Sequence, residues 1–197
     1  LTHPLLPDFI RIASENGYRP AITTNGTLLS KCGPAIVEAG IYKVNISVHS
    51  FESGSREDYL RYIGDCLDFA DYASRKGVLT VLRLWNQGGY DSANERLLDL
   101  ASGYVPRPWT ERYDGWKMSD KIYLEFDHIF EWPDEEREAI ETGEVFCYAL
   151  RNQIGVLVDG TVVPCCLDHD GNIALGNLFQ QTLDEILESP RARALYD

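Results

Sequence analysis

The chain has 197 residues, of which 44% are hydrophobic and 25% are charged, a balance typical of a globular protein that can bury a core. Its formal net charge of −13 would repel a phosphate backbone and no basic stripe offsets that repulsion, so we expect no nucleic-acid partner. It contains no apolar run of the roughly 18 residues that a membrane span requires, and no signal-peptide pattern, so we expect a cytoplasmic protein without membrane association.

The first 130 residues alternate between helical periodicity and short apolar segments typical of strands. Several helical segments end at a glycine, such as Gly17, Gly40 and Gly77, where a left-handed C-cap would lie. In chain order we predict a helix at 9–16, a strand at 19–24, a helix at 30–39, a strand at 42–48, a helix after Ser55 that ends before Gly77, a strand at 80–85, a helix at 93–101 and a strand at 121–126. This βα repetition predicts an α/β fold with a parallel sheet.

Polar residues follow each of the four predicted strands. They are Asn25 with Gly26, His49 with Ser50, Asn86 with Gln87, and Asp127 with His128. Because the carboxyl ends of parallel strands form the functional face of such a sheet, we expect these residues to line one mouth.

Arg83 is a charged residue inside an apolar strand pattern. A guanidinium that is partly buried needs an anionic partner. The partner is either a ligand carboxylate or an acidic residue of this chain, and Glu125 on the next predicted strand is one candidate.

Residues 104–116 are rich in proline and aromatic side chains. We predict a loop there, which either covers the mouth of the sheet and contacts substrate or packs on the core as a surface lid.

Beyond this loop, residues 153–158 and 161–164 flank the dipeptide Asp159-Gly160, which predicts a β-hairpin with a type I′ turn. A short amphipathic helix at 183–187, preceded by Thr182, completes a small antiparallel element.

The cysteines are odd in number and unevenly spaced, unlike a secreted disulfide framework, so free thiols or metal ligands fit better than disulfides. They are Cys32, Cys66, Cys147, Cys165 and Cys166. For Cys32 and Cys66, which lie in predicted helices, we predict core packing.

The predicted hairpin brings a thiol at its entry, Cys147, near a thiol at its exit, Cys165, which suits a shared metal. Cys166 would point to the opposite face of the strand unless the strand breaks there, so its role as a ligand stays open. Two alternatives also stay open. The three cysteines could pack in a small core, or they could bind a structural zinc together with His169.

The C-terminal part resembles the SPASM or "twitch" extension of radical S-adenosylmethionine enzymes. The resemblance rests on the spacing Cys-x12-Gly-x4-Cys, formed by Cys147, Gly160 and Cys165, and on Gly176-Asn177-Leu178 before a helix. It implies that Cys147 and Cys165, with Cys166 as a further candidate, bind an auxiliary 4Fe-4S cluster. In that family, cysteines further along the chain complete the site.

The preceding region resembles the (β/α) barrel of the same family. The matching motifs are residues 23–27 for the third barrel strand, 45–50 for the fourth and 82–86 for the fifth. The resemblance implies that Ser47 hydrogen-bonds S-adenosylmethionine and that Asn25 and Arg83 lie near cofactor or substrate. This sequence has His49 and Ser50 where relatives often have Asp-Gly.

The family's Cys-x3-Cys-x2-Cys loop, which holds the radical-generating 4Fe-4S cluster, has no counterpart in these residues, and the sequence starts at Leu1 without a methionine. We therefore expect part of a longer enzyme: residues 1–140 as a partial barrel without its first strand and cluster loop, and residues 141–197 as an incomplete SPASM-like subdomain. By itself this part is expected to be inactive.

The resemblance further implies a parent enzyme that generates a 5′-deoxyadenosyl radical to modify a peptide, a protein or a small molecule, as in the sulfatase-maturase and peptide-maturase group. Its reductant would be a flavodoxin or ferredoxin. The competing hypothesis is a non-catalytic α/β module with a structural zinc or no metal.

Overall fold

The computed structural model describes residues 1–48, 56–86, 93–128 and 146–196. The chain divides into two compact units, Leu1–Ile129 and Phe130–Asp197. The predicted strand-end residues His49, Ser50 and Gln87, and the predicted domain boundary after residue 140, lie outside the described residues.

The first unit is an α/β structure built on a six-stranded sheet. Its elements are α1 Leu6–Glu15, β1 Ala21–Thr24, α2 Leu29–Glu38, β2 Lys43–Ser47, α3 Arg56–Arg75, β3 Leu79–Asn86, α4 Ala93–Tyr104, β4 Thr110–Arg112, β5 Gly115–Lys117 and β6 Ile122–His128. The strand order is β1-β2-β3-β6-β5-β4. The four predicted strands, β1, β2, β3 and β6, pair in parallel, which confirms the α/β prediction.

The two faces of this sheet differ in polarity because side chains alternate along each strand. One face packs against the helices and forms the core, with Val44, Ile46, Leu82, Leu84, Ile122 and Leu124 all buried. The opposite face carries Asn45, Ser47, Arg83, Tyr123 and Glu125 among its residues. The polar residues inside the strand motifs therefore share one face, away from the helix-covered core.

A hairpin that the sequence analysis did not predict extends the sheet at its far edge. β5 pairs antiparallel with β6, and β4 pairs antiparallel with β5, so part of the predicted aromatic loop is sheet. Its two-residue turn is Tyr113-Asp114, and the dipeptide Asp114-Gly115 at the start of β5 is a signal of the same kind as Asp159-Gly160. Trp109 and Trp116 lie with ring centroids 6.3 Å apart and pack against the core. The Trp109 indole N–H donates to the carbonyl of Val105 at 2.8 Å, which anchors the hairpin to the end of α4.

The second unit is a three-stranded antiparallel sheet followed by two short helices. Its elements are β7 Gly155–Val156, β8 Thr161–Val163, β9 Gly176–Asn177, α5 Leu183–Leu187 and α6 Pro190–Tyr196. The predicted hairpin is β7–β8 and the predicted helix is α5, while β9 and α6 are additional. Val162, Leu175, Ile186 and Ala192 form a small separate core. Thr182 caps α5 through a reciprocal capping box with Glu185.

The type I′ prediction for the hairpin turn is wrong. Of the two turn residues, only Gly160 has a positive φ, at 84°, whereas a type I′ turn requires both. The Gly160 amide donates to the carbonyl of Leu157 at 3.0 Å, and the Leu157 amide donates to the carbonyl of Thr161 at 2.8 Å. The connection therefore has three residues and ends in a left-handed glycine, the next most common hairpin geometry.

Among the described helices, none combines the length and apolar character that crossing a membrane would require.

Candidate functional site

Three predicted cofactor-binding residues lie at one level of the parallel sheet. Ser47 is the register partner of Arg83, and Arg83 is the partner of Glu125 on β6. Thr24 pairs with Ile46, so Asn25, the residue after Thr24, comes at the level of Ser47. A row of Asn25, Ser47, Arg83 and Glu125 thus crosses the four strands, at the carboxyl ends of β1 and β2 and in the middle of β3 and β6.

The end of β1 is held in place by a tyrosine of α3. The Tyr62 hydroxyl donates to the backbone carbonyl of Asn25 at 2.6 Å and lies 3.4 Å from the backbone carbonyl of Ser47. The Asn25 side-chain oxygen accepts from the amide of Thr27 at 3.2 Å and from its hydroxyl at 2.9 Å. Within the described part of the chain the Asn25 Nδ2 group makes no hydrogen bond, so it remains available to a ligand.

Arg83 is paired with Glu125, one of the two kinds of partner that the sequence analysis considered. The distance from Arg83 Nε to Glu125 Oε2 is 3.5 Å, and the two side chains are 29% and 28% exposed. Arg83 Nε is buried and has no hydrogen-bond partner among the described residues. The guanidinium is therefore held by an ion pair while one of its donors stays unsatisfied, which is costly unless a ligand or water completes the site.

Asn45 is a residue of this face that the sequence analysis did not select. It is 9% exposed, and its Nδ2 lies 3.3 Å from the hydroxyl of Thr23 on β1. Its Oδ1 is buried without a partner among the described residues. If the oxygen and nitrogen of the Asn45 side-chain amide exchanged places, one of the two atoms would still lack a hydrogen-bond partner. The sequence signal that could have identified Asn45 is its spacing: it lies two residues before Ser47 in the same strand, so both side chains are on the same face of the sheet.

Gly26 and Cys66 meet directly behind this row. Gly26 has φ 81°, and a Cβ built on it would lie 2.6 Å from Cys66 Sγ and 3.0 Å from Ile46 Cγ2. Cys66 is in the core, as predicted, and Cys32 is half-buried. Burial raises the pKa of the Cys66 thiol to about 12, although a hydrogen bond with Tyr62 acts in the opposite direction. Cys66 is therefore a packing residue and not a nucleophile.

This burial predicts selective thiol chemistry in the iron-free protein at pH 8. Raising the Cys66 pKa from 9.0 to about 12 lowers its thiolate fraction about 1,000-fold, so iodoacetamide should modify exposed Cys166 and leave Cys66 intact. Peptide mass spectrometry after timed quenching measures both rates. Unfolding in guanidinium is the control, in which the two rates should converge. Equal rates in the native protein would contradict the assigned burial.

In the second unit, Cys147 and Cys165 line one cavity of about 370 Å³. Its remaining walls combine apolar and polar side chains: Ala149, Leu150, Pro164, Leu167, Asp168, His169, Asp170, Asn172, Ile173 and Leu195. The hairpin-entry thiol and the hairpin-exit thiol therefore face the same cavity, and their role as metal ligands stays a prediction. An apolar pocket with two thiols matches the donor chemistry of an iron-sulfur site.

Backbone hydrogen bonds bring the two thiols to this cavity. The Leu150 amide donates to the carbonyl of Pro164 at 3.2 Å and to that of Gln153 at 3.0 Å, and Leu150 adopts φ 59°. This joins the segment after Cys147 to the segment before Cys165. On the opposite wall, the Asp168 carboxylate accepts from the amides of Asn172 and Ile173, each at 2.9 Å, and folds the loop that closes the cavity.

Cys166 is exposed and does not line the cavity, although β8 ends at Val163 and strand alternation therefore does not separate Cys166 from Cys165. His169, the residue of the zinc hypothesis, does line it and lies 3.3 Å from the carboxylate of Asp170. The described residues contain no cluster of three His, Cys, Asp or Glu side chains able to hold a metal ion. Two thiols therefore fit a cluster as part of its ligand set, and a complete zinc site is not assembled among the described residues.

Gly176 and Asn177 connect the hairpin turn with α5, since Gly176 packs against α5 and Asn177 hydrogen-bonds to the turn. A Cβ on Gly176 would lie 2.7 Å from Ile186 Cγ1, so only glycine lets α5 approach β9 this closely. The Asn177 Nδ2 donates to the carbonyl of Asp159 at 2.9 Å, and its Oδ1 accepts from the amide of Phe179 at 2.9 Å. Gly176 and Asn177 therefore position β9, α5 and the hairpin turn near the thiols and supply no ligand.

Comparison with known proteins gives a family match for the C-terminal residues and two relatives. Residues 147–197 match the family model for SPASM, an iron-sulfur cluster-binding domain. A GTP 3′,8-cyclase from Chlorobaculum tepidum is 37% identical over 75 residues, which cover 34% of this chain and 23% of that protein.

The solved structures that match include three of SuiB from Streptococcus suis. SuiB superposes with a TM-score of 0.55 and 16% identity over 96% of this chain and 53% of SuiB. It has also been solved with S-adenosylmethionine, at TM-score 0.55, and with the precursor peptide SuiA, at TM-score 0.56. The chain spans about half the length of these structures. At this identity the likeness shows a shared fold.

The predicted cofactors agree with these relatives, since the matched family is described by its iron-sulfur cluster and SuiB has been solved with S-adenosylmethionine. The SPASM match, the cyclase match and the fold shared with SuiB confirm the predicted resemblance to radical S-adenosylmethionine enzymes with a SPASM domain.

Proposed function

We propose that this chain belongs to a radical S-adenosylmethionine iron-sulfur oxidoreductase. Its first unit would hold the cofactor and substrate on the polar face of the sheet, and its second unit would hold an auxiliary 4Fe-4S cluster. The observation that carries the proposal is the row of Asn25, Ser47 and Arg83 at one level of the parallel sheet.

As part of this proposal, the sheet is a section of a (β/α) barrel with its polar face turned inward. Four parallel strands whose described helices pack against one face support this arrangement, as does the fold shared with SuiB. Residues 1–140 would form this barrel section and residues 141–197 the auxiliary subdomain.

The residues of the polar face fit S-adenosylmethionine in the chemistry of their donors and acceptors. The unsatisfied Nε of Arg83 marks a guanidinium suited to a carboxylate, and Ser47 and Asn25 offer neutral hydrogen-bonding groups beside it. When bound, the cofactor would supply a 5′-deoxyadenosyl radical that removes hydrogen from the substrate. The residues of this chain would position substrate and cofactor and exclude water from the face.

The second unit fits a 4Fe-4S cluster in part. Cys147 and Cys165 would be two ligands, and the apolar side chains of Leu150, Leu167 and Ile173 would limit the access of water. A cluster bound there would supply a centre for electron transfer. Cys166 would become a ligand only if the chain turned it toward the cavity.

The substrate is proposed to be a peptide or protein, supported by the SuiB structure with its precursor peptide. A small molecule is the alternative, supported by the match to a GTP 3′,8-cyclase.

A flavodoxin or ferredoxin as reductant and a cytoplasmic location complete the proposal. A non-catalytic module with a structural zinc has less support, because the family model that matches residues 147–197 is described by an iron-sulfur cluster.

The cofactor site is tested by Arg83→Met in the full-length protein. Loss of a charge-assisted hydrogen bond should raise the dissociation constant for S-adenosylmethionine about 10- to 100-fold. Arg112→Met is the matched control, because Arg112 is exposed at the sheet edge and pairs with Asp114. Isothermal titration under anaerobic conditions measures the constant. Wild-type affinity in Arg83→Met, with the fold intact, would contradict the proposed site.

A further inference from the structure

Three contacts converge on Arg151, a residue that carries no role in the site described above. Its Nη2 donates to the backbone carbonyl of Tyr196 at 2.7 Å. Its guanidinium also lies over the ring of Tyr196, 4.5 Å from the centroid, and over the ring of Phe146, 5.4 Å from the centroid. Arg151 thus joins two segments that are 50 positions apart in the chain: Phe146 and Tyr196.

Both segments border the thiol cavity. Phe146 immediately precedes Cys147, and its ring packs edge-on against Tyr148 with centroids 5.0 Å apart, so the two aromatic residues flank the thiol. Tyr196 immediately follows Leu195, whose side chain lines the same cavity. Holding Phe146 and Tyr196 together therefore holds Cys147 and Leu195 at one cavity.

The other hydrogen bonds of the two segments join residues that are close in the chain. The segment from Phe146 to Tyr148 is exposed and belongs to no strand. α6 has seven residues, of which Ala192 is buried in the small core, and an isolated helix of that length is unstable in water. Arg151 connects the two segments, because its guanidinium stacks on both rings and donates to the carbonyl at the end of α6.

We propose that Arg151 is a positioning residue for the auxiliary cluster: it clamps the end of α6 against the Cys147 segment, so that Leu195 closes the cavity over the cluster. This inference rests on the proposed cluster site in the second unit. Lysine cannot reproduce the clamp, because an ammonium group lacks the planar fork that stacks on a ring and donates in plane at the same time.

The test compares Arg151→Ala and Arg151→Lys with wild type in the full-length, anaerobically reconstituted protein. Arg191→Ala is the matched control, since Arg191 is an exposed arginine on the same helix and its side chain makes no hydrogen bond, ion pair or ring contact with the described residues. The first measurement is amide hydrogen exchange of α6, which needs no cluster. The second is the rate at which a ferrous chelator removes iron from the second unit.

In Arg151→Ala we expect exchange in α6 and iron release both to rise about tenfold, with Arg151→Lys close to Arg151→Ala and Arg191→Ala at the wild-type rates. Faster exchange with an unchanged rate of iron release would overturn the positioning role, as would unchanged exchange. If wild-type protein holds no iron in the second unit, the proposed function fails and this role fails with it. Iron in wild type and a wild-type release rate in Arg151→Ala would overturn the role of Arg151 alone.

Discussion

Full-length protein with both Cys147→Ala and Cys165→Ala is expected to lose all the iron of its second unit, about four atoms per chain for a 4Fe-4S cluster. The two thiols line one cavity, and the described residues bring no third metal ligand close enough to replace them. Iron and acid-labile sulfide analysis after anaerobic reconstitution measures the loss. The iron of any other cluster in the protein should remain.

Two single substitutions sharpen this result. Cys32→Ala is the control for general effects of removing a thiol, since Cys32 lies in α2 of the first unit, and it should leave the iron content unchanged. Cys166→Ala should also retain the cluster, because Cys166 does not line the cavity. Full iron content in the double variant would show that the cavity binds no cluster. Equal losses in Cys166→Ala and Cys165→Ala would show that the chain turns both thiols inward.

Gly26→Ala is expected to lower the free energy of unfolding of the first unit by about 3 kcal/mol. One part of the cost is the left-handed backbone at φ 81°, and the other is the contact of the new methyl group with Cys66 Sγ at 2.6 Å. Cys66 is buried in the core and cannot move aside without disturbing its neighbours. Denaturant unfolding followed by circular dichroism measures the change.

Gly17→Ala is the matched control for this effect. Gly17 has nearly the same φ, 82°, but a Cβ there would meet nothing within 4 Å. It should therefore show only the backbone cost, about 1 kcal/mol. If the two substitutions lower the free energy of unfolding by the same amount, the close approach of Gly26 to Cys66 contributes nothing. The packing assigned to Gly26 and Cys66 would then be wrong.

The parallel strands could be predicted because their signals are local. Apolar alternation marks β2, and glycines at Gly17, Gly40 and Gly77 end the preceding helices, each with a positive φ. The β4–β5 hairpin escaped prediction because its strands have only three residues each, too short for an alternation pattern to stand out. The Asp114-Gly115 dipeptide was its one clear signal.

The candidate site was predictable by residue type but not by geometry. Arg83 and Ser47 stand out in the sequence, yet their placement side by side depends on the register between β2 and β3. Asn45 was missed because an amide inside a strand looks like an ordinary polar residue until its burial is known. The contact of Arg151 with Tyr196 spans 45 positions, and no local pattern encodes it.

The measurement that tests the account most directly is made on full-length protein reconstituted anaerobically with iron and sulfide. Mössbauer spectroscopy counts the clusters, and chromatography after addition of dithionite and S-adenosylmethionine detects 5′-deoxyadenosine. We predict more than one 4Fe-4S cluster per chain and reductive cleavage of S-adenosylmethionine. A colourless protein that contains no iron and cleaves no S-adenosylmethionine would contradict the account.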